Sequence, residues 1–278
     1  MGSEAGSIEI SEGHLAYESC GEGSPPIVLL HGFSFDMRAW EPQVSLLARR
    51  HRVVRYDLRG FGKSSLPRSQ YDHAEDLARV LDVLRLDRPL LVGLSLGANV
   101  SLAFAAKFPG RIAGLVLASP GLPGYEWKEE RPPDAARNYA RIYGVEAGKR
   151  FWLSHPLFAS LADRPDALEA VRAMVTDYSG WHWQNPDLQA PSLPLRDLLE
   201  EIRVPALVLK GERDVGGYGE IAELLAERLP CARVKRFLRA GHMVNLEESE
   251  AFSAAVLEFA ASLNWQKPEK ATSKGAVS

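Results

Sequence analysis

One serine of the chain stands in a setting that favours nucleophilic chemistry. Ser95 is the centre of the run Gly-Leu-Ser-Leu-Gly at 93–97, which follows an apolar stretch at 90–92 and precedes a small, apolar helical pattern. A strand, a sharp turn and a helix in this order lift the serine hydroxyl clear of the sheet edge, and the two glycines leave room for the turn. A serine hydroxyl alone is a weak nucleophile, so we expect a base, an acid that orients the base, and donors for an oxyanion elsewhere in the chain.

An aspartate and a histidine are the candidates for the acid and the base. Asp214 follows a predicted strand at 206–209, and His242 follows a predicted strand at 234–237. Because the carboxyl ends of parallel strands meet at one edge of a sheet, we expect both side chains near Ser95. The order Ser95, Asp214, His242 matches a serine triad in which the histidine takes the serine proton and the aspartate fixes the histidine tautomer.

Two backbone N–H groups are the predicted oxyanion donors. One belongs to Leu96, directly after the serine, and the other to Phe33, in the loop after a predicted strand at 27–30. We interpret His31 as a structural residue that ties this loop down. The segment 57–64 is also interpreted as structural, with Asp57 and Arg59 pinning neighbouring loops.

The composition of the chain excludes several functional classes. The 278 residues are 46% hydrophobic and 25% charged, which suits one large α/β domain or a domain with an insertion. A formal net charge of −3 gives no reason to expect nucleic acid or an anionic membrane as a partner. The two cysteines predict no disulfide framework, and no cluster with ligand spacing predicts a metal or another cofactor. No long apolar run or signal peptide is evident, so we expect a cytoplasmic protein, and a homo-oligomer is left open.

Strand and helix patterns alternate along most of the chain. The predicted strands are a hairpin at 7–19 with its turn at Gly13, and single strands at 27–30, 53–56, 90–92, 112–117, 206–209 and 234–237. Helical spacing occurs at 40–50, at 76–86 and at about 250–263. This alternation predicts an α/β fold with a mostly parallel sheet covered on both faces.

The alternation stops between Ser119 and about Arg203, where no strand pattern occurs. We therefore predict a first core part at 1–119, a helical cap at 120–203 and a second core part at 204–265. The polar residues 266–278 are predicted to be a disordered tail.

The predicted cap holds four of the six tryptophans, one of them Trp127. Trp152, Trp181 and Trp183 are candidate substrate-binding residues, and the alternative is that these rings pack the cap against the sheet. Four arginines of the cap could pair a substrate carboxylate, although nearby glutamates favour solvated helix faces. They are Arg131, Arg137, Arg141 and Arg150.

Several of these segments together resemble the α/β-hydrolase superfamily, of the capped esterase, lactonase and peroxidase-like kind. The segments that carry the resemblance are 29–33, 56–64, 93–97, 211–214 and 240–243. The resemblance implies an eight-stranded sheet, antiparallel at one edge, with a cap inserted after the sixth strand. Residues 150–152 and 245–247 look like 3-oxoadipate enol-lactonases. Two departures, Ala98-Asn99 and the run Val215-Gly216-Gly217 after the aspartate, leave the subfamily open.

The chemistry that these residues favour is acyl transfer to water. A small-molecule ester or lactone is the expected substrate, cleaved through an acyl-enzyme intermediate. The alternatives are hydrolysis of a C–C bond in a diketo acid, a cofactor-free peroxidase or perhydrolase activity, and a ligand receptor that keeps the fold without turnover.

Overall fold

The computed structural model of the chain describes residues 2–191 and 193–265, and one eight-stranded sheet runs through it. The strands are β1 (Ser3–Ile10), β2 (Gly13–Cys20), β3 (Ile27–Leu30), β4 (Val53–Tyr56), β5 (Leu90–Leu94), β6 (Gly114–Ala118), β7 (Ala206–Gly211) and β8 (Ala232–Phe237). Their order in the sheet is β1-β2-β4-β3-β5-β6-β7-β8. The pairs β1–β2 and β2–β4 are antiparallel, and the other neighbours are parallel. The predicted sheet, antiparallel at one edge, is confirmed.

The burial of the central strands explains why the sequence predicts them. Every residue of β3, β4, β5 and β6 is buried, so these strands are nearly continuous apolar runs. Strand β2, next to the edge strand β1, alternates between buried and half-buried positions. The hairpin is longer than predicted because Ser3 already pairs with Cys20. Strand β6 begins two residues later than predicted, since Ala113 lies in a loop and donates its N–H to the Pro89 carbonyl at 3.0 Å.

Helices cover the sheet and fill the long connection after β6. They are α1 (Glu41–Leu47), α2 (His73–Val83), α3 (Leu96–Lys107), α4 (Pro132–Tyr143), α5 (Val145–Leu153), α6 (Pro165–Asp177), α7 (Trp181–Gln184), α8 (Leu195–Leu198), α9 (Gly216–Arg228), α10 (Val244–Glu247) and α11 (Ser249–Ser262). Short 3₁₀ helices lie at Met37–Trp40, Pro156–Asp163 and Leu199–Glu201.

Two helices differ from the sequence prediction. Helix α2 begins three residues earlier than expected because Asp72 caps it, accepting a hydrogen bond from the Ala74 N–H at 2.7 Å. Helix α9 was not predicted at all, since its first turn contains Gly216, Gly217 and Gly219, which favour a loop in a single sequence. Its buried residues, Tyr218 among them, pack it against the sheet.

The helices from α4 to α8 lie between β6 and β7 and replace the strand–helix alternation there. We call residues 119–205 the inserted segment. A helical insertion after the sixth strand is therefore confirmed as part of the fold. The exact domain boundaries stay predictions, and the tail predicted at 266–278 falls outside the described residues.

Within the described ranges, none of the helices has both the length and the apolar character needed to cross a bilayer.

Candidate active site

Ser95 occupies a strained turn between β5 and α3. Its φ of 52° and ψ of −106° lie in a region that side chains rarely adopt, and its N–H donates to the Ala118 carbonyl of β6 at 2.9 Å. A Cβ on Gly93 would come within 2.3 Å of the Gly97 backbone, and one on Gly97 within 2.1 Å of the Leu30 carbonyl oxygen. Both glycines are therefore required by the close approach of strand, turn and helix, as the sequence pattern predicts.

Asp214 and His242 meet beyond the ends of β7 and β8. The His242 Nδ1 lies 2.9 Å from Oδ2 and 3.1 Å from Oδ1 of Asp214, and the side chains are only 2% and 3% exposed, respectively. The Asp214 Oδ1 also accepts the Val215 N–H at 2.8 Å. A carboxylate held in this way fixes the histidine ring with its proton on Nδ1, which leaves Nε2 free to accept a proton.

The loop of His242 is held by a buried glutamate. Glu247 Oε2 accepts the Gly241 N–H at 2.9 Å, and its Oε1 accepts the Met243 N–H at 3.1 Å. These two bonds clamp the backbone on both sides of His242. Burial raises the pKa of Glu247, and the hydrogen bonds from the backbone oppose this shift. In the sequence, residues 245–247 carry only a family resemblance, and their residue types predict no role for Glu247.

The two predicted oxyanion donors lie on either side of the turn at Ser95. Leu96 is the first residue of α3, where a helix leaves its N–H without an intrahelical acceptor. The N–H of Phe33 has no hydrogen-bond partner among the described residues. The loop of Phe33 is anchored by the inserted segment, because Trp152 donates its Nε1–H to the Ser34 Oγ at 2.7 Å. The arrangement leaves both N–H groups available to a ligand.

His31 and segment 57–64 connect the loops that follow β3 and β4. His31 Nε2 accepts the Leu58 N–H at 2.9 Å, so its Nδ1 carries the proton and donates to the Gly32 carbonyl at 2.8 Å. Burial lowers the pKa of His31, which keeps the ring neutral. Asp57 accepts the N–H groups of Met37 and Lys63, each at 2.7 Å. The structural interpretation of His31 and Asp57 fits these contacts.

Arg59 carries the same network into the core. It pairs with Asp76 through two hydrogen bonds of 2.9 and 2.6 Å, and both side chains are 6% exposed. A third bond, of 2.9 Å, reaches the Ser11 carbonyl in the edge hairpin. Arg59 therefore pins three separate segments together, as the sequence analysis expected of it.

Ser95 opens into a cavity of about 780 Å³ between the sheet edge and the inserted segment. Its walls combine loop residues of the sheet with α3, the segment before α4, and α9. The wall includes Phe33, Asn99, Trp127, His182 and Tyr218. A volume of this size accommodates a small organic molecule.

The tryptophans predicted to bind substrate are not among the wall residues of this cavity. Trp183 is 0% exposed and Trp152 is 2% exposed, and both rings pack near the Phe33 ring, at 6.3 Å between centroids. Trp181 is half-buried and rests against His182. These contacts fit the alternative, in which Trp152 and Trp183 pack the inserted segment against the Phe33 loop, and Trp127 lines the cavity instead. A role of Trp152, Trp181 and Trp183 in substrate binding stays a prediction.

The four candidate arginines divide into two pairs. Arg141 and Arg150 are exposed, as expected for solvated helix faces. Arg131 and Arg137 line the cavity, and both approach Asp134, at 2.8 Å from Arg131 Nε and 3.6 Å from Arg137 Nη1. Shared use of one carboxylate leaves the pair with a net positive charge.

Sequence reasoning missed Tyr218. This residue lies in the first turn of α9, is 4% exposed, and stacks at a tilt on His242 with the ring centroids 4.3 Å apart. Tyr218 and Ser95 line the same cavity. The available signal was its position, four residues after Asp214, which becomes informative only once α9 is recognised as a helix.

Among residues 2–191 and 193–265, no group of three or more histidine, cysteine, aspartate or glutamate side chains could hold a metal ion.

Comparison with known proteins places this geometry in a family. A sequence model described as the alpha/beta hydrolase fold matches residues 25–249, which span β3 to the start of α11. The chain belongs to the α/β hydrolase family. The match includes the turn of Ser95 and the loops of Asp214 and His242.

Proteins similar to this α/β hydrolase are named for different reactions. The chain is 30% identical to the pimeloyl-(acyl-carrier protein) methyl ester esterase of Vibrio campbellii, with 89% of the chain and 99% of that protein covered. It is also 30% identical to a 2-hydroxy-6-oxononadienedioate/2-hydroxy-6-oxononatrienedioate hydrolase of Burkholderia vietnamiensis, with 90% and 91% covered.

A solved structure, the enol-lactonase of Burkholderia xenovorans LB400, is similar at a TM-score of 0.79 with 28% identity, covering 92% of the chain and all of that protein. These neighbours support hydrolysis and leave the bond that is cleaved to be inferred.

Proposed function

We propose that this chain is a serine hydrolase that cleaves a carboxylic ester or a lactone through an acyl-enzyme intermediate on Ser95. The observation that carries the proposal is the contact of His242 Nδ1 with both oxygens of Asp214, next to a serine on a strained turn. A base that is oriented by a buried acid, beside a nucleophile with open oxyanion donors, is the arrangement that acyl transfer requires.

In the first half of the proposed reaction, the Ser95 Oγ attacks the substrate carbonyl carbon while its proton moves to His242 Nε2. The N–H groups of Phe33 and Leu96 hold the negative charge that develops on the carbonyl oxygen. Asp214 stabilises the imidazolium and keeps its own charge. The imidazolium then gives its proton to the leaving oxygen as the C–O bond breaks.

The second half repeats the same steps with water. His242 takes a proton from a water molecule, whose oxygen attacks the acyl carbon of the ester on Ser95. The returning proton frees the Ser95 hydroxyl, and the carboxylic acid leaves. A lactone follows the same course, except that the hydroxyl group formed when the ring opens stays tethered to the acyl group until hydrolysis releases the hydroxy acid.

Hydrolysis of a C–C bond is the second candidate. It is favoured by the 30% identity with an oxononadienedioate/oxononatrienedioate hydrolase over nine-tenths of the chain. The same three side chains would serve that reaction with a carbon leaving group. A panel of p-nitrophenyl esters, lactones of different ring size and vinylogous diketo acids separates the two candidates by which compounds turn over.

Replacement of the nucleophile tests the proposal. Ser95→Ala should lower kcat by several orders of magnitude, about 10⁴-fold or more, because the attacking oxygen is lost. Labelling of the intact protein by a fluorophosphonate should disappear as well. The matched control is Ser101→Ala, which removes a buried hydroxyl from α3, the helix that follows Ser95. Retention by Ser95→Ala of more than about a tenth of the activity would reject Ser95 as the nucleophile.

A further inference from the structure

We propose that Tyr218 is a further catalytic residue, whose hydroxyl donates a hydrogen bond to the leaving-group oxygen when the tetrahedral intermediate collapses. This inference rests on the proposed ester hydrolysis at Ser95. It concerns a residue that lies outside the serine, histidine and aspartate already argued to perform the reaction.

The first support is the place of Tyr218 in the site. Its ring lies against the His242 ring with the centroids 4.3 Å apart, and Tyr218 lines the same cavity as Ser95. An oxygen that is protonated by His242 after Ser95 has attacked must lie between these two side chains. It therefore lies against Tyr218 as well.

The second support is the separation of Tyr218 from the oxyanion donors. The N–H groups of Phe33 and Leu96 belong to the loop after β3 and to the start of α3, whereas Tyr218 projects from the helix after β7. In the sheet, β7 and β3 are separated by β5 and β6. The carbonyl oxygen and the leaving oxygen of a tetrahedral intermediate point in different directions, so the N–H groups serve the first and Tyr218 the second.

The third support is that Tyr218 is rigidly held. Trp127 packs edge-on against its ring with centroids 5.0 Å apart, and the Tyr218 N–H donates to the Val215 carbonyl at 3.1 Å. Gly217 permits this packing, because a Cβ there would come within 2.2 Å of the Trp127 ring. Gly217, one of the glycines that favour a loop in the sequence, therefore allows the Trp127 ring to pack against Tyr218.

The protonation state fits a donor. Burial, with the negative charge of Asp214 adding to it, raises the pKa of Tyr218 well above its ordinary value, and the positive charge of Arg131 opposes this shift. The phenol therefore keeps its proton at neutral pH. In the proposed step, the O–H of Tyr218 stays intact, the proton that reaches the leaving oxygen comes from His242, and the bond from the acyl carbon to that oxygen breaks.

Leaving-group dependence tests the role of Tyr218. We would measure kcat/KM, which reports acylation, for ethyl, phenyl and p-nitrophenyl butyrate with Tyr218→Phe and the unchanged enzyme. The ethyl ester has the poorest leaving group and should slow by about 10- to 100-fold, whereas the p-nitrophenyl ester should slow by less than about threefold. The ratio of the two rates does not depend on the folded fraction, because misfolded enzyme lowers both equally.

Two further measurements distinguish a leaving-group role of Tyr218 from a role in positioning Ser95. Fluorophosphonate labelling of Ser95 expels fluoride and needs no proton from the protein, so Tyr218→Phe should label at a rate within about threefold of the unchanged enzyme. An equal loss for all three esters and for labelling would overturn the leaving-group role, because Tyr218 would then only position Ser95. Tyr143→Phe, which removes the hydroxyl of a tyrosine that is 62% exposed and outside the cavity wall, should leave all four rates unchanged. An unchanged enzyme that neither labels nor hydrolyses any ester would instead reject the proposed function.

Discussion

The loops of the sheet and the helices of the inserted segment are held in place by different kinds of contact. Buried, short hydrogen bonds fix the loops: His31 holds Leu58, Asp57 holds Met37, and Glu247 clamps the backbone on both sides of the histidine loop. The inserted segment is fastened to these loops mainly by aromatic rings around Phe33. Hydrogen bonds restrict angles and distances, whereas ring packing chiefly buries area.

From this difference we expect the reacting groups to lie in the sheet loops and the inserted segment to control which substrates enter. The reacting groups of the proposed mechanism, Ser95, Asp214 and His242, all follow strands of the sheet. The inserted segment supplies cavity walls, such as Trp127 and His182, which decide what can approach Ser95. Changes in the sheet loops should therefore affect rate for every substrate, and changes in the inserted segment should affect stability or substrate preference.

Among the changes that compare the two regions, the largest effect is expected at the acid. Asp214→Asn keeps the shape of the side chain but removes the negative charge that faces His242, and it can hold the imidazole in the wrong tautomer. We expect kcat to fall by about 10²- to 10⁴-fold for all esters alike, with the melting temperature nearly unchanged. Asp163→Asn is the matched control, because that carboxylate is 73% exposed and pairs with the neighbouring Arg213 at 3.6 Å. A loss that differed strongly between substrates would contradict the division between the two regions.

A packing tryptophan of the inserted segment should behave in the opposite way. Trp183 is fully buried, and its ring lies 5.1 Å from Tyr178 and 6.3 Å from Phe33. Trp183→Ala should lower the free energy of unfolding by about 3–5 kcal/mol, because a large cavity is left behind. Relative rates among esters should stay the same for the folded enzyme. Urea unfolding and rate ratios for an ester series measure the two quantities.

The half-buried Trp181 serves as the comparison for Trp183. Its replacement by alanine should cost less stability, since less area leaves contact with the protein. If Trp183→Ala changed the order of ester preference and left the urea midpoint in place, Trp183 would contact substrate and would not act through packing alone.

The sequence predicts the sheet and the order of the reacting residues because both leave local signals. Fully buried strands such as 27–30 and 90–94 are uninterrupted apolar runs, and the glycines around Ser95 are imposed by backbone contacts of 2.3 Å or less that a Cβ would make. Asp214 and His242 were found because they follow strands whose carboxyl ends share an edge.

The walls of the cavity leave no comparable signal. Which tryptophan of the inserted segment faces Ser95 depends on how helices of different lengths cross over the sheet, and helical periodicity does not specify this. Trp127 reaches the cavity through its contact with Gly217, about ninety positions later in the chain. Tyr218 was hidden for a related reason, since glycine-rich residues 216–219 form a helix only because their partners in the sheet and inserted segment stabilise it.

The smallest effect concerns two buried histidines, one in each region. Burial lowers the pKa of His73, at the start of α2, to about 3 and that of His182, in α7, to about 4. An unfolded chain binds a proton at such a residue below pH about 6.5, whereas the folded chain does not, so the free energy of unfolding falls as the pH is lowered from there. Each histidine should cost about 2 kcal/mol of stability between pH 7 and pH 5.

Replacement of either histidine therefore probes whether the two regions unfold together. His73→Phe should remove about 2 kcal/mol from the loss of stability seen in urea unfolding at pH 5 relative to pH 7. His182→Phe should remove a similar amount if the inserted segment unfolds with the sheet, because its proton then binds in the same transition. If His73→Phe reduced the loss of stability between pH 7 and pH 5 as expected and His182→Phe did not, the inserted segment would unfold before the sheet does. The Nδ1 of His73 and the Nε2 of His182 are buried and have no hydrogen-bond partner among the described residues, which fits neutral imidazoles. An unchanged pH dependence of stability in both variants would contradict this assignment.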